Sequence, residues 1–107
     1  MVDQHVAEPV FAALGDARRT TIVELLAQGD RTVSELAAAL PITLQGTLKH
    51  LGVLEQAGLV TRTKQGRTVT VRLRTERLAA AEDWLHRTRS FWTHRLADLA
   101  ASFEETP

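Results

Sequence analysis

Between residues 32 and 73 the apolar positions change their period once, and that change divides the chain. Over 32–59, TVSELAAALPITLQGTLKHLGVLEQAGL, they return at helical spacing; from Val60 onward they alternate. Thr32 and Glu35 make a T-x-x-E capping box, so a helix begins at Val33 and shows Val33, Leu36, Ala37 and Leu40 on one side. Pro41 stops it, because the residue before a proline is pushed out of the α region. Thr43 caps a second helix with Leu44, Thr47, Leu48, Leu51 and Leu54 on a broad apolar face, and Ala57-Gly58 ends it. The opposite face carries Gln45, Lys49, Gly52 and Gln56, with Thr43 and Gly46 at its exposed N-terminal end. Val69, Val71 and Leu73 then point one way while Thr68, Thr70 and Arg72 point the other, which predicts a strand. Residues 60–64 supply its partner, and Gln65-Gly66 a two-residue turn.

The flanks read as helical. Pro9 suits the first turn of a helix that shows Val10, Phe11 and Leu14 on one side and ends near Gly15, while residues 1–8 specify little structure. Asp16 caps the next helix, whose buried face is Ile22, Val23, Leu25 and Leu26 and which Gly29 closes. Thr75 caps a long final helix running to about residue 104. On it Leu78, Ala81, Leu85, Trp92, Leu96, Leu99 and Phe103 fall within a narrow arc, and Trp84 and Phe91 form a second line a quarter-turn away. One domain face cannot use both lines. Exposed aromatic patches are uncommon on monomers, so one line is expected to pack on its own subunit and the other on a twin, the alternative being a helix buried in its own core. The expected architecture is mainly α with a β-hairpin: a single domain over 1–107, with scaffold and dimer helices at 9–29, a helix-turn-helix at 32–58, a wing at 60–73 and a dimerisation helix at 75–104.

A polar, basic second helix propped by a first across a three-residue turn is either a reader of the DNA major groove or an ordinary helical hairpin with a solvated face. The segment after it favours the reader. A two-stranded ribbon with the tip Lys64-Gln65-Gly66-Arg67 is a wing, placed to lie along phosphates or probe the minor groove. The formal charge is zero, but residues 1–42 carry −3, residues 43–74 carry +5 and residues 75–107 carry −2, so the positive charge sits on the reading helix and wing. The absence of cysteine excludes disulfides and thiolate metal sites. No apolar run approaches membrane length and no leader is visible, which predicts a cytoplasmic protein with no membrane contact. With no cysteine or tyrosine, no G-x-S-x-G elbow, and Ser34, Ser90 and Ser102 lacking a histidine-carboxylate setting, neither an enzyme nor a cofactor is expected.

The segments VFAALGDARRTTIVELLAQG, TVSELAAALPITLQGTLKHLGVLEQAGLV and RTKQGRTVTVRL resemble the ArsR-type winged-helix repressors of bacteria, and the phrase KHLGVLEQAGLV over 49–60 carries the resemblance most specifically. The two aromatic lines of the tail helix also match a branch of that family. The resemblance covers nearly the whole chain and implies a homodimeric, sequence-specific repressor on a double-stranded DNA operator. It also implies that the helices bearing Val10, Phe11 and Leu14 share the dimer interface with Trp84, Leu85, Phe91, Trp92, Leu96, Leu99 and Phe103.

For the groove the candidates are Thr43, Gln45, Thr47, Lys49 and His50. Gln45 suits adenine, Lys49 guanine or a phosphate, and the threonines phosphate or a thymine methyl. His50, beside the buried arc, is equally well read as a structural histidine. Arg62, Lys64, Arg67 and Thr68 belong to the wing, facing phosphate. The chain departs from the family at Leu48, where many members have a small polar residue and the leucine is either an apolar contact to thymine or core, and at Gly52, where many have Lys or Arg and one expected phosphate contact is lost.

The family's cysteine box reads here as TVSELA, so its soft-metal site is absent. Asp83, His86, His94 and Asp98 on the tail lie where other members bind zinc or nickel, but their spacing does not match that pattern, and no metal is expected. A metal-responsive repressor remains one alternative and a winged helix used only for protein contact another. The sequence names no effector.

Overall fold

The computed structural model describes residues 4–104, with the side chains of 4–6, 92, 96, 99 and 102–104 left aside. Its elements are α1 (Gln4–Ala13), α2 (Ala17–Ala27), β1 (Arg31–Thr32), α3 (Val33–Ala39), α4 (Leu44–Gln56), β2 (Val60–Gln65), β3 (Thr68–Leu73), α5 (Glu76–Arg87) and α6 (Arg89–Glu104).

Local chemistry sets most helix ends. The Asp16 carboxylate accepts from the N–H groups of Arg18 and Arg19, which starts α2. At α3 the capping box is complete in both directions: Thr32 Oγ1 accepts from the Glu35 N–H at 3.1 Å, and Glu35 Oε1 from the Thr32 N–H at 2.9 Å. Thr43 Oγ1 accepts from the Gly46 N–H at 3.0 Å to start α4. That helix ends in a Schellman motif. The Leu59 N–H reaches back to the Leu54 carbonyl and the Gly58 N–H to that of Glu55, with Gly58 at φ +77° and Leu54 and Leu59 both fully buried.

Among the described side chains the core gathers Ala7, Val10 and Ala13 from α1, Ile22 and Leu26 from α2, Val33 and Leu36 from α3, Leu51 and Leu54 from α4, Val60 from β2, Val71 from β3 and Ala81 from α5. Each large aliphatic buried in this way contributes about 1.5–3 kcal/mol. α4 is thereby fixed against the scaffold along one side only.

Five sequence expectations change. The first helix starts earlier than Pro9, which is its sixth residue; the exposed ring forfeits one hydrogen bond to the carbonyl of residue 5, within the first turns. A two-residue strand, β1, pairs antiparallel with β3, giving a three-stranded sheet of order β1-β3-β2. The hairpin turn is Gly66-Arg67, not Gln65-Gly66, because Gln65 pairs with Thr68; a positive φ at Gly66 alone is the pattern of a type II′ turn. Thr75 occupies the N-cap position of α5, but its hydroxyl makes no capping bond. Finally, the tail is two helices. At Thr88 the hydroxyl donates back to the Trp84 carbonyl at 2.8 Å, competing with the backbone ladder, and φ −100° with ψ 11° breaks the α run.

Candidate nucleic-acid interface

The buried side of α4 is Thr47, Leu51 and Leu54, all at 0 % exposure. A helix buried on that arc turns Gln45, Lys49 and Gln56 outward, and all three are exposed, with Gly52 half-buried between them. Thr43 is exposed at the N-terminus, its hydroxyl engaged in the cap. The wing continues this surface, with Lys64, Arg67 and Thr68 exposed at its tip.

Three of the candidates serve the scaffold. Thr47 is fully buried and its hydroxyl donates to the Thr43 carbonyl at 3.0 Å, so it corrects the expectation of a groove contact; its methyl sits in the apolar face and its polar atom is satisfied within the helix. Arg62 is held by Glu55 at 2.7 Å, tying β2 to α4. The Arg62 guanidinium beside Glu55 holds that carboxyl below the usual range, and the carboxylate in turn raises Arg62. His50 is half-buried, with Nδ1 3.3 Å from the Arg19 guanidinium. Arginine only donates, so Nδ1 accepts and the scaffold reading of His50 is the one the geometry favours.

Sequence reasoning passed over Arg19 here and left the surroundings of two leucines undecided. Arg19 holds His50 and also donates to the Ala13 carbonyl at 2.5 Å and the Ala12 carbonyl at 3.4 Å, clamping the end of α1 to α4; nothing local in the sequence signals this. Leu44, read as part of the apolar face, and Leu48, left open between core and an apolar contact to thymine, are 53 % and 38 % exposed and line a groove of about 380 Å³ between α4 and the wing. Their place at the edge of the apolar arc was visible; that the wing leaves them uncovered was not.

Charge on the surface is more selective than the sequence sum. Arg72 pairs with Asp30 at 3.0 Å and Arg74 with Glu76 at 3.2 Å, as Arg62 does with Glu55. Among the described residues Lys49, Lys64 and Arg67 have no acidic partner within ion-pair distance, and these three stand on the reading helix and wing tip.

At the other end, Val10 is 0 % exposed in the subunit's own core, which corrects its assignment to a dimer surface. Leu14 is half-buried. Phe11 and Trp84 pack with ring centroids 6.0 Å apart and planes tilted by 57°, joining α1 to α5. Phe11, Leu85 and Phe91 remain 37 %, 42 % and 55 % exposed. Trp92, Leu96, Leu99 and Phe103 lie outside the described side chains. Among the described residues no three metal-binding side chains converge; Asp83 is paired with Arg87, and His94 Nδ1 lies 2.8 Å from the Ser90 carbonyl. No helix among them is long and apolar enough to cross a membrane.

Known proteins share this arrangement. The family profile described as a helix-turn-helix domain matches residues 10–63. The HTH-type transcriptional regulator Rv2034 of Mycobacterium tuberculosis is 40 % identical over 90 residues, covering 84 % of this chain and 81 % of the relative. The transcriptional repressor SdpR of Bacillus subtilis is 30 % identical over 76 residues, covering 71 % and 84 %. The solved structure of an ArsR-like transcriptional regulator from Rhodococcus sp. RHA1 superposes with a TM-score of 0.73 at 34 % identity, over 95 % of this chain and 96 % of that one. With its propped reading helix, hairpin wing and these relatives, the chain belongs to the ArsR-type winged helix-turn-helix family of DNA-binding transcriptional regulators, which is not an enzyme family.

Proposed function

We propose that the protein is a cytoplasmic homodimeric repressor that occupies an inverted-repeat operator. The observation that carries this reading is the division of basic side chains: Arg62, Arg72 and Arg74 are neutralised by acidic neighbours, whereas Lys49, Lys64 and Arg67 face out beside Gln45 without one. Gln45 and Lys49 read base edges; Lys64, Arg67 and Thr68 hold phosphates and set the register. Two copies place their reading helices in successive major grooves, one helical turn or about 34–36 Å apart. The repressor name of the Bacillus relative supports the direction of regulation.

The test is titration of the full chain against labelled DNA from upstream of its own gene, at several salt concentrations and with unrelated competitor. Specific binding that weakens with salt is expected. Gln45→Ala and Lys49→Ala should remove discrimination between operator and competitor while the oligomeric state stays as in the parent. Lys64→Ala should weaken binding to all sequences alike and lower the salt slope by about one for each phosphate no longer neutralised. Binding that competitor erases completely would overturn the reading.

A further inference from the structure

Leu44 and Leu48 stand one helical turn apart on α4, each next in sequence to a residue of the outward stripe, Gln45 and Lys49. Their own chain does not cover them. Thr47, Leu51 and Leu54 take the core side, leaving the two leucines 53 % and 38 % exposed on the flank that faces the wing. The groove they line continues over Val33 and Val69 and ends at Arg67 and Thr68 of the wing tip. The surface is therefore an apolar strip set between two rows of phosphate- and base-seeking side chains, continuous with the DNA-binding face.

Along the floor of the major groove, one base feature is apolar: the C5 methyl of thymine. We propose that Leu44 and Leu48 are specificity-determining residues that read thymine methyl groups in each half-site, beside the hydrogen-bonding readout by Gln45 and Lys49. The inference rests on the operator reading above. A protein partner fits the strip less well, since a basic, polar margin borders it and two leucines supply little of the roughly 800 Å² per side that a stable protein interface buries.

Replacement of thymine by deoxyuracil removes the methyl and nothing else, so it isolates the contact. Duplexes selected from a random pool by the full chain are remade with deoxyuracil at one thymine at a time. Wild-type affinity should fall about fourfold at each contacted position, the weight of one buried methyl-sized group. In Leu44→Ala and Leu48→Ala, whose exposed side chains leave no cavity, the same replacement should cost nothing at the position that leucine reads. A selected operator that tolerates deoxyuracil everywhere would overturn methyl readout and leave the operator reading intact. So would alanine variants that keep wild-type affinity and deoxyuracil sensitivity, which would assign the leucines to a protein partner. Failure to select any sequence would overturn both.

Discussion

Arg19 joins three elements through one side chain: its guanidinium donates to the last carbonyls of α1, its backbone N–H helps to cap α2 on Asp16, and it holds His50 of α4. Hydrogen bonds from a charged donor to helix-end carbonyls contribute more than neutral ones, so Arg19→Ala should cost about 1–2 kcal/mol in urea denaturation. Arg19→Lys keeps the charge without the fork and should recover less than half of it. A loss below about 0.3 kcal/mol would mean that the clamp is ornamental. Gly52 makes the opposite case, a residue whose absent side chain matters. A Cβ built there meets nothing within 4 Å, on the outward stripe of α4. Gly52→Lys should raise stability by about 0.5–1 kcal/mol through helix propensity and steepen the salt dependence of DNA binding by about one per subunit, with base preference unchanged. An unaltered slope would place this part of α4 away from phosphate.

Elements whose ends are set by neighbours in sequence were legible; those set across the fold were not. The capping box of α3, the Thr43 cap and the Schellman end of α4 each lie within six residues, so the reading helix could be placed to within a residue. Gly58→Ala tests the last of these: φ +77° costs an L-residue about 1–2 kcal/mol, and the nearest obstacle, the Arg77 side chain at 3.1 Å, is flexible enough to step aside. A thermal denaturation curve matching wild type would show that α4 ends without help from the glycine. By contrast, β1 has only Arg31 and Thr32, too short to show alternation, and exists because Val71 and Thr70 of β3 lie beside it. The break at Thr88 was hidden because the deciding bond is from a hydroxyl to its own preceding turn, which leaves no mark on the apolar period. The outward stripe of the candidate site followed from periodicity. What periodicity lacked was the neighbours: Glu55 claims Arg62, Arg19 claims His50, and the tight packing of α4 claims Thr47.

For the molecule as a whole, ionisation bears on stability against pH and shape on how two copies assemble. Glu35, held by the Thr32 backbone and hydroxyl, Glu55 and Glu76, held by Arg62 and Arg74, all lie below the ordinary glutamate value of 4.5. Asp16 lies below its own 3.8, since the N–H groups of Arg18 and Arg19 outweigh the opposing effect of burial. A carboxylate depressed in the folded state binds fewer protons there than when unfolded, so its stabilisation is complete above the ordinary value and is lost as pH falls through the folded one. Melting temperature should be flat from about pH 7 to about pH 5 and drop below about pH 4.5, and Glu35→Gln, which keeps the capping bond without the charge, should drop less steeply. Shape argues for the dimer. The radius of gyration is 17.3 Å and the extents are 61 × 37 × 21 Å, against roughly 13 Å for a compact chain of this length. Every described side chain of α6 is exposed, Phe91 at 55 %, and α5 adds Leu85 at 42 %. The exposed apolar side chains Leu85 and Phe91 gain burial only against a partner, and a second copy presents the same surface. Sedimentation should therefore give twice the mass of one chain. Phe91→Glu should shift it toward monomer with helix content retained, and should weaken operator binding by more than tenfold, because a lone subunit forfeits the second half-site. A wild-type monomer, or a dimer untouched by Phe91→Glu, would move the interface off the exposed face that carries Leu85 and Phe91.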